Sequence, residues 1–244
     1  MGKKNSSTDL SQFDAFAAQE GFQAVFNSNY AAAYCIFTQK LLDAVHSIDE
    51  PLAVLDLGCG DGWTAEIIAV LKSGRYAGID PSGISLEKLG SRLIAHPNFQ
   101  TKGFQQSGEW LLSAEAADEI VRFLGKPPNL FICNATFHQL RKAFPDVGSV
   151  VEAAIRILAD GAKVVIGDYH YPVDLSDTEV EAAREWVRVN TGQNPTVREG
   201  LFHPDPVRRW IEKSGVEIMG EEHVRATSHI PVIYYVFWGE VRSK

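Results

Sequence analysis

The stretch LDLGCGDGWTAEI, Leu55 to Ile67, constrains the fold of this chain more than any other. An apolar run enters a turn with glycine at 58, 60 and 62, then resumes at helical spacing from Trp63. Glycine accepts left-handed backbone and lets the chain pass close to a neighbour, so this is a strand–turn–helix corner. Such a corner belongs to an α/β unit whose next strand runs parallel to the first.

The sequence that follows keeps that rhythm. LAVLDLG (52–58), RYAGID (75–80), FQTKGF (99–104), LFICNA (130–135) and KVVIGD (163–168) read as five strands. Helices are expected over 62–71, through Leu86, Leu89, Leu93 and Ile94, over Ser113–Leu124 with Gly125 as the stop, and over Val147–Leu158 with Gly161 as the C′ residue. Strands alternating with amphipathic helices imply right-handed crossovers and a doubly wound parallel sheet. The last third departs from this. Ser176–Glu179 is a capping box for a helix ending near Gly192, and Pro204–Asp205–Pro206 opens another with Asp205 as cap. VEIMGEEHV (216–224) and IYYVFWGEV (233–241) should pair antiparallel.

Before Pro51 a long helix is expected from Asn29, with Tyr30, Ala33, Tyr34, Phe37, Leu41, Ala44, Val45 and Ile48 in one apolar stripe, and a weaker one over 13–20. Residues 1–50 then form a helical cap, and 51–244 the main domain with a helical insertion at about 172–200.

Three ligands commonly sit in a glycine corner of this kind. A P-loop needs Gly-Lys-Ser/Thr, but Gly62 is followed by Trp63 and Thr64. A dinucleotide fingerprint needs glycine at 63, where Trp63 is too bulky for close helix packing. What remains is Asp56-x-Gly58-x-Gly60-x-Gly62, with a second acidic residue ending the next strand in GIDPS (78–82). On these motifs the chain from about Pro51 to Val241 resembles the class I S-adenosylmethionine-dependent methyltransferases. FHPDPVRRWIEKSGV (202–216) is similar to the helix and turn before that family's last hairpin. The resemblance implies a Rossmann-like seven-stranded sheet with an antiparallel last strand, and S-adenosylmethionine as cofactor.

It also implies roles. Gly58, Cys59 and Gly60 would pass the backbone close to the methionine part of the cofactor, with Asp56 near its ammonium end. Asp80 would accept from the ribose hydroxyls, and Pro81 would press on the adenine. Relatives commonly place an Asp after the third strand to meet the adenine amino group. Here GFQQSGEWLL (103–112) has none, leaving Gln106, Ser107 or Glu109 to substitute. Methyl transfer from a sulfonium is an in-line displacement, and a base is needed only for an acceptor whose proton is held tightly. Beyond strands four and five stand Asn134 and His138, and Tyr169, His170 and Tyr171. His138 is the candidate base, Tyr169 and His170 would orient the acceptor, and Asn134 faces the cofactor. Tyr30, Tyr34, Phe37 and Trp186 could line a lid over a small molecule, and Tyr171 would also meet the substrate. A Tyr-His-Tyr run at a strand tip should not be wholly buried.

A net charge of −8 disfavours a nucleic-acid partner and favours a small organic acceptor. The three cysteines, Cys35, Cys59 and Cys133, lie far apart in apolar stretches and read as reduced, buried thiols rather than a metal site. No apolar run reaches membrane-spanning length and the first dozen residues lack a secretory signal, so the expectation is a cytoplasmic monomer or homodimer. Two other readings stay open: a cofactor-binding scaffold that has lost catalysis, and a methyltransferase of protein or tRNA.

Overall fold

The computed structural model describes residues 31–144, 146–191, 201–225 and 231–243. The helix expected over 13–20, the Asn29 cap and Tyr30 lie outside the described residues.

Seven strands form one sheet in the order β3-β2-β1-β4-β5-β7-β6. They are β1 (Leu52–Leu57), β2 (Gly74–Asp80), β3 (Phe99–Gln105), β4 (Leu130–Asn134), β5 (Lys163–His170), β6 (Val216–Arg225) and β7 (Ile233–Val241). The first five run parallel, and β7 is antiparallel to both of its neighbours, β5 and β6. The chain starts at β1, winds outward to β3, and returns to the other side of β1 as β4. Strand order therefore reverses between β1 and β4, and a crevice opens beyond their carboxyl ends. The glycine turn leaves β1 there, and His138 follows β4.

Helices cover both faces, as a sheet of near-continuous apolar strands requires. One face packs α1 (Ala31–His46), α2 (Trp63–Leu71), α3 (Gly83–Leu93) and α7 (Asp177–Thr191) on Val54, Tyr76, Ile132, Val165 and Tyr234. The other packs α4 (Ala114–Leu124), α5 (Phe137–Ala143), α6 (Val147–Arg156) and α8 (Pro204–Lys213) on Leu55, Ile79, Phe131, Ile166 and Phe237. Every fourth residue of α1 is buried: Ala33, Phe37, Leu41 and Val45. Burial of each larger side chain contributes about 2 kcal/mol. The stripe read from the sequence is thus a packing stripe on the sheet.

Several local expectations change. The helix over 147–158 ends at Arg156, and Gly161 (φ +74°) instead turns the chain into β5. α8 is capped by His203, whose Nδ1 accepts the Asp205 amide, with Pro204 rather than Pro206 opening the helix. The box at Ser176 forms as read: its hydroxyl accepts the Glu179 amide while the Glu179 carboxylate accepts the Ser176 amide. A short helix, α5, and a 3-10 turn at Gly108–Leu112 stand where no element was expected. Cys59 and Cys133 are buried, but Cys35 is exposed on α1.

Candidate active site

Gly58 and Gly60 are both left-handed, at φ +75° and +53°, for different reasons. A Cβ on Gly58 would come within 2.1 Å of Thr136 Oγ1, so this glycine seats the turn against the β4–α5 junction. A Cβ on Gly60 would meet nothing within 4 Å. Gly60 is the point at which bare backbone faces open space. Its amide donates to Asp80 Oδ2 at 2.9 Å, and the Ser82 amide donates to Asp80 Oδ1 at 2.9 Å. The carboxylate at the end of β2 is thereby fixed beside the glycine turn, with Pro81 half-buried next to it. The Gln106 amide donates to the Asp80 carbonyl at 3.2 Å, which brings Gln106 and Ser107 alongside. The Gln106 side chain is exposed, and those of Ser107 and Glu109 are half-buried.

Asp56 lies beneath the turn rather than at its mouth. It is buried on the α1 side, and its Oδ2 accepts from Tyr76 Oη at 2.5 Å and Thr64 Oγ1 at 2.7 Å. Burial pushes its carboxyl up to about 6 despite those two donors, and the charge of Asp80 adds to the effect. Burial likewise holds the Cys59 thiol protonated, reinforced by Asp80 and Asp56. Asp61, on the turn itself, is paired with Arg92 at 2.6 Å. Open backbone at Gly60, with Asp80 beside it and Asp56 beneath, suits a ligand carrying positive charge.

Across the crevice, β4 ends in a strained step. Ala135 has φ +52°, a conformation that favours glycine, with its amide on the Gly167 carbonyl at 2.8 Å. This step leads into α5 and puts His138 over the end of β5. His138 Nδ1 lies 2.7 Å from Asp168 Oδ1, and the His138 amide donates to Asp168 Oδ2 at 3.1 Å. Asp168 is fully buried, and its Oδ1 also accepts the Tyr169 amide at 2.8 Å. Since a carboxylate oxygen only accepts, Nδ1 carries the ring proton and Nε2 presents a lone pair. Asp168 was not singled out in the sequence. It stands 30 residues from His138, and the one signal was an acid closing the apolar run KVVIGD.

Tyr169, His170 and Tyr171 are all buried, contrary to expectation. β5 runs on to His170 because β7 pairs with it as far as His170↔Ile233, so Tyr169 and His170 are sheet rather than tip, and Tyr171 follows the strand directly. Their side chains divide between the faces. Tyr169 and Tyr171 join the α1–α7 face, where Tyr169 packs at 5.0 Å on Tyr234, whose hydroxyl donates to Asn134 Oδ1 at 2.7 Å. His170, like Asp168, lies on the other face, its ring 5.9 Å from that of Tyr235. Tyr34 and Trp186 also pack on the α1–α7 face, Tyr34 meeting Trp63 edge-on at 5.0 Å. Burial and Asp61 keep the Tyr34 hydroxyl protonated. His138 sits where the two groups meet, its ring 6.1 Å from Tyr169.

A family model described as a methyltransferase domain matches residues 26–219. No curated protein matches the sequence. Among solved structures the chain is similar to magnesium protoporphyrin IX methyltransferase (ChlM) from Synechocystis PCC 6803 with bound S-adenosylhomocysteine, at 12% identity and TM-score 0.63, covering 96% of this chain and 100% of that one. It is similar to N-methyltransferase NodS from Bradyrhizobium japonicum WM9 in complex with S-adenosylhomocysteine, at 12% identity and TM-score 0.62, over 97% of this chain and 100% of that one. The cyclase SpnF shares the fold at 12% identity and TM-score 0.57, over 86% and 80% of the two chains. One fold thus carries more than one chemistry, and the acceptor has to be argued from the site.

Proposed function

Given that this chain belongs to the class I S-adenosylmethionine-dependent methyltransferases, we propose that its acceptor is a small organic molecule methylated at an atom that gives up a proton. The observation that carries this reading is the His138–Asp168 pair at the ends of β4 and β5, across the crevice from the glycine turn. A methyltransferase whose acceptor lacks a removable proton has no use for a buried carboxylate that fixes one imidazole tautomer.

S-adenosylmethionine supplies an electrophilic methyl group on a sulfonium and leaves as the neutral thioether. The residues around the turn fit it: bare backbone at Gly60, negative charge from Asp80 and Asp56, and α2 with its N-terminus at Trp63 offering amides to a carboxylate. Asp80 would hold the ribose hydroxyls, with Pro81, Gln106 and Ser107 placed for the adenine. Gly58 and Cys59 shape the turn from behind, and Asp56 sets its charge from below. Asn134, fixed by Tyr234, borders the crevice opposite.

His138 Nε2 would take the proton that the acceptor gives up on methylation. Asp168 keeps Nδ1–H aligned and balances the imidazolium until the proton passes to solvent. General-base help of this kind is worth roughly two to four powers of ten. Tyr34, Tyr169, Tyr171 and Trp186 give the crevice an aromatic wall that excludes water. The net charge of −8 supports a small acceptor over nucleic acid. Release of S-adenosylhomocysteine across a panel of phenols, amines, carboxylic acids and C-nucleophiles tests the reading. Turnover confined to acceptors without a removable proton would defeat it.

A further inference from the structure

Four buried side-chain atoms have no hydrogen-bond partner among the described residues, Thr101 Oγ1, Arg184 Nε, His170 Nε2 and Tyr235 Oη, and the last two belong to neighbouring rings beyond the His138–Asp168 pair. His170 is 8% exposed and Tyr235 is 0% exposed. An unpaired buried polar atom is costly, so two on neighbouring rings call for an explanation. They are neighbours by register. Asp168 pairs with Tyr235 across β5 and β7, which makes His170 the diagonal neighbour of Tyr235 on the same face. His203, the cap of α8, stands 5.2 Å from the His170 ring, and His223 of β6, opposite Tyr235, stands 6.0 Å away.

The protons can be assigned. His170 Nδ1 lies 3.0 Å from the Tyr171 carbonyl, which can only accept, so Nδ1 bears the hydrogen and Nε2 is a lone pair. Burial holds this imidazole neutral, lowering it to about 4, and His203 and His223 push the same way while Asp205 opposes them. Burial and Asp168 keep the Tyr235 hydroxyl protonated, so it remains a donor. The charged groups nearby are already engaged: Arg208 and His223 with Glu221, and His203 with Asp205. Among the described residues no group of His, Cys, Asp or Glu side chains could hold a metal ion. A lone pair and a donor on rings whose centroids are 5.9 Å apart match a neutral group that both gives and takes a hydrogen bond.

We propose that His170 and Tyr235 form a second recognition point for the acceptor, a subsite for a neutral hydroxyl or carboxamide, about 7 Å along β5 from Asp168. It rests on the reading that the acceptor meets His138, and it makes His170 and Tyr235 specificity residues rather than catalytic ones.

Thermal unfolding of the S-adenosylhomocysteine complex, with phenol, benzamide, benzoate and toluene as probes, tests the proposal. Phenol or benzamide should raise the midpoint of the wild type by 2 °C or more, while toluene and benzoate leave it unchanged. Tyr235→Phe, which deletes one oxygen, should abolish that response while melting no lower than the wild type on its own. If Tyr235→Phe does not fold, His170→Phe provides the same reading. An equal response to toluene, a response to benzoate, no response to any probe, or a response that survives the substitutions overturns the subsite. A failure of S-adenosylhomocysteine itself to raise the midpoint would instead strike at the methyl-transfer reading, whatever phenol does.

Discussion

Asp80 is tied to the amides of Gly60 and Ser82 before any ligand arrives, so one carboxylate both shapes the turn and faces the place where ribose hydroxyls would lie. Asp80→Ala is expected to weaken S-adenosylhomocysteine binding at least tenfold, about 1.4 kcal/mol by calorimetry; unchanged affinity would remove Asp80 from the site. His138 acts on a different quantity. His138→Ala should leave that affinity within twofold while lowering kcat by roughly two to four powers of ten in the release assay. Asp56 is read through pH. Its carboxyl is raised from 3.8 to about 6 in the folded chain, so the folded state binds its proton more tightly than the unfolded one. That stabilisation is fully present below pH 4 and is lost as pH rises through 6. At about 1.4 kcal/mol per pH unit, it amounts to about 3 kcal/mol at most. Urea unfolding of wild type and Asp56→Asn between pH 4 and 7 should therefore diverge, the wild type losing more stability over that interval.

The β4–α5 junction stores strain for a reason visible in its neighbours. Ala135 holds φ +52° so that Thr136 can pack on Gly58 and His138 can reach Asp168. Ala135→Gly should relieve about 1 kcal/mol of that strain, partly offset by the freer unfolded chain. It should also lower kcat, because the junction no longer holds the imidazole rigidly. A raised or unchanged denaturation midpoint with reduced turnover is the expected pair of results. The same junction marks where local patterns stop being informative. Long periodic runs such as Ala33–Val45 declare themselves, and the glycine corner is written in consecutive residues. α5 is seven residues long, too short for an apolar stripe to emerge. The extent of β5 depends on pairing between His170 and Ile233, and the His138–Asp168 contact joins residues 30 positions apart. Such contacts come from topology, so the glycine turn and the acid closing β2 were legible in consecutive residues, while the partner of His138 was not.

For the molecule as a whole, binding at the crevice reports on every element that builds it. S-adenosylhomocysteine at a hundred times its Kd should stabilise the folded chain by about 2.7 kcal/mol, raising Tm by about 5–10 °C; a scan with and without the ligand measures this directly. The sheet also imposes an order of events. β7 lies between β5 and β6, although it follows both in the chain. As the polypeptide leaves the ribosome, β1 to β5 can associate while β5 keeps one row of unpaired amides and carbonyls, and β6 emerges with no strand to join. Only when β7 threads between them do the row on β5 and the whole of β6 become paired. The glycine corner can therefore exist on a nascent chain, whereas Asp168, one residue past the last β4–β5 pair at Gly167, is held in strand by β7. Tyr235 and His223 reach His170 only with the final strands, so the capacity to discriminate among acceptors is acquired last, as synthesis of the sheet ends.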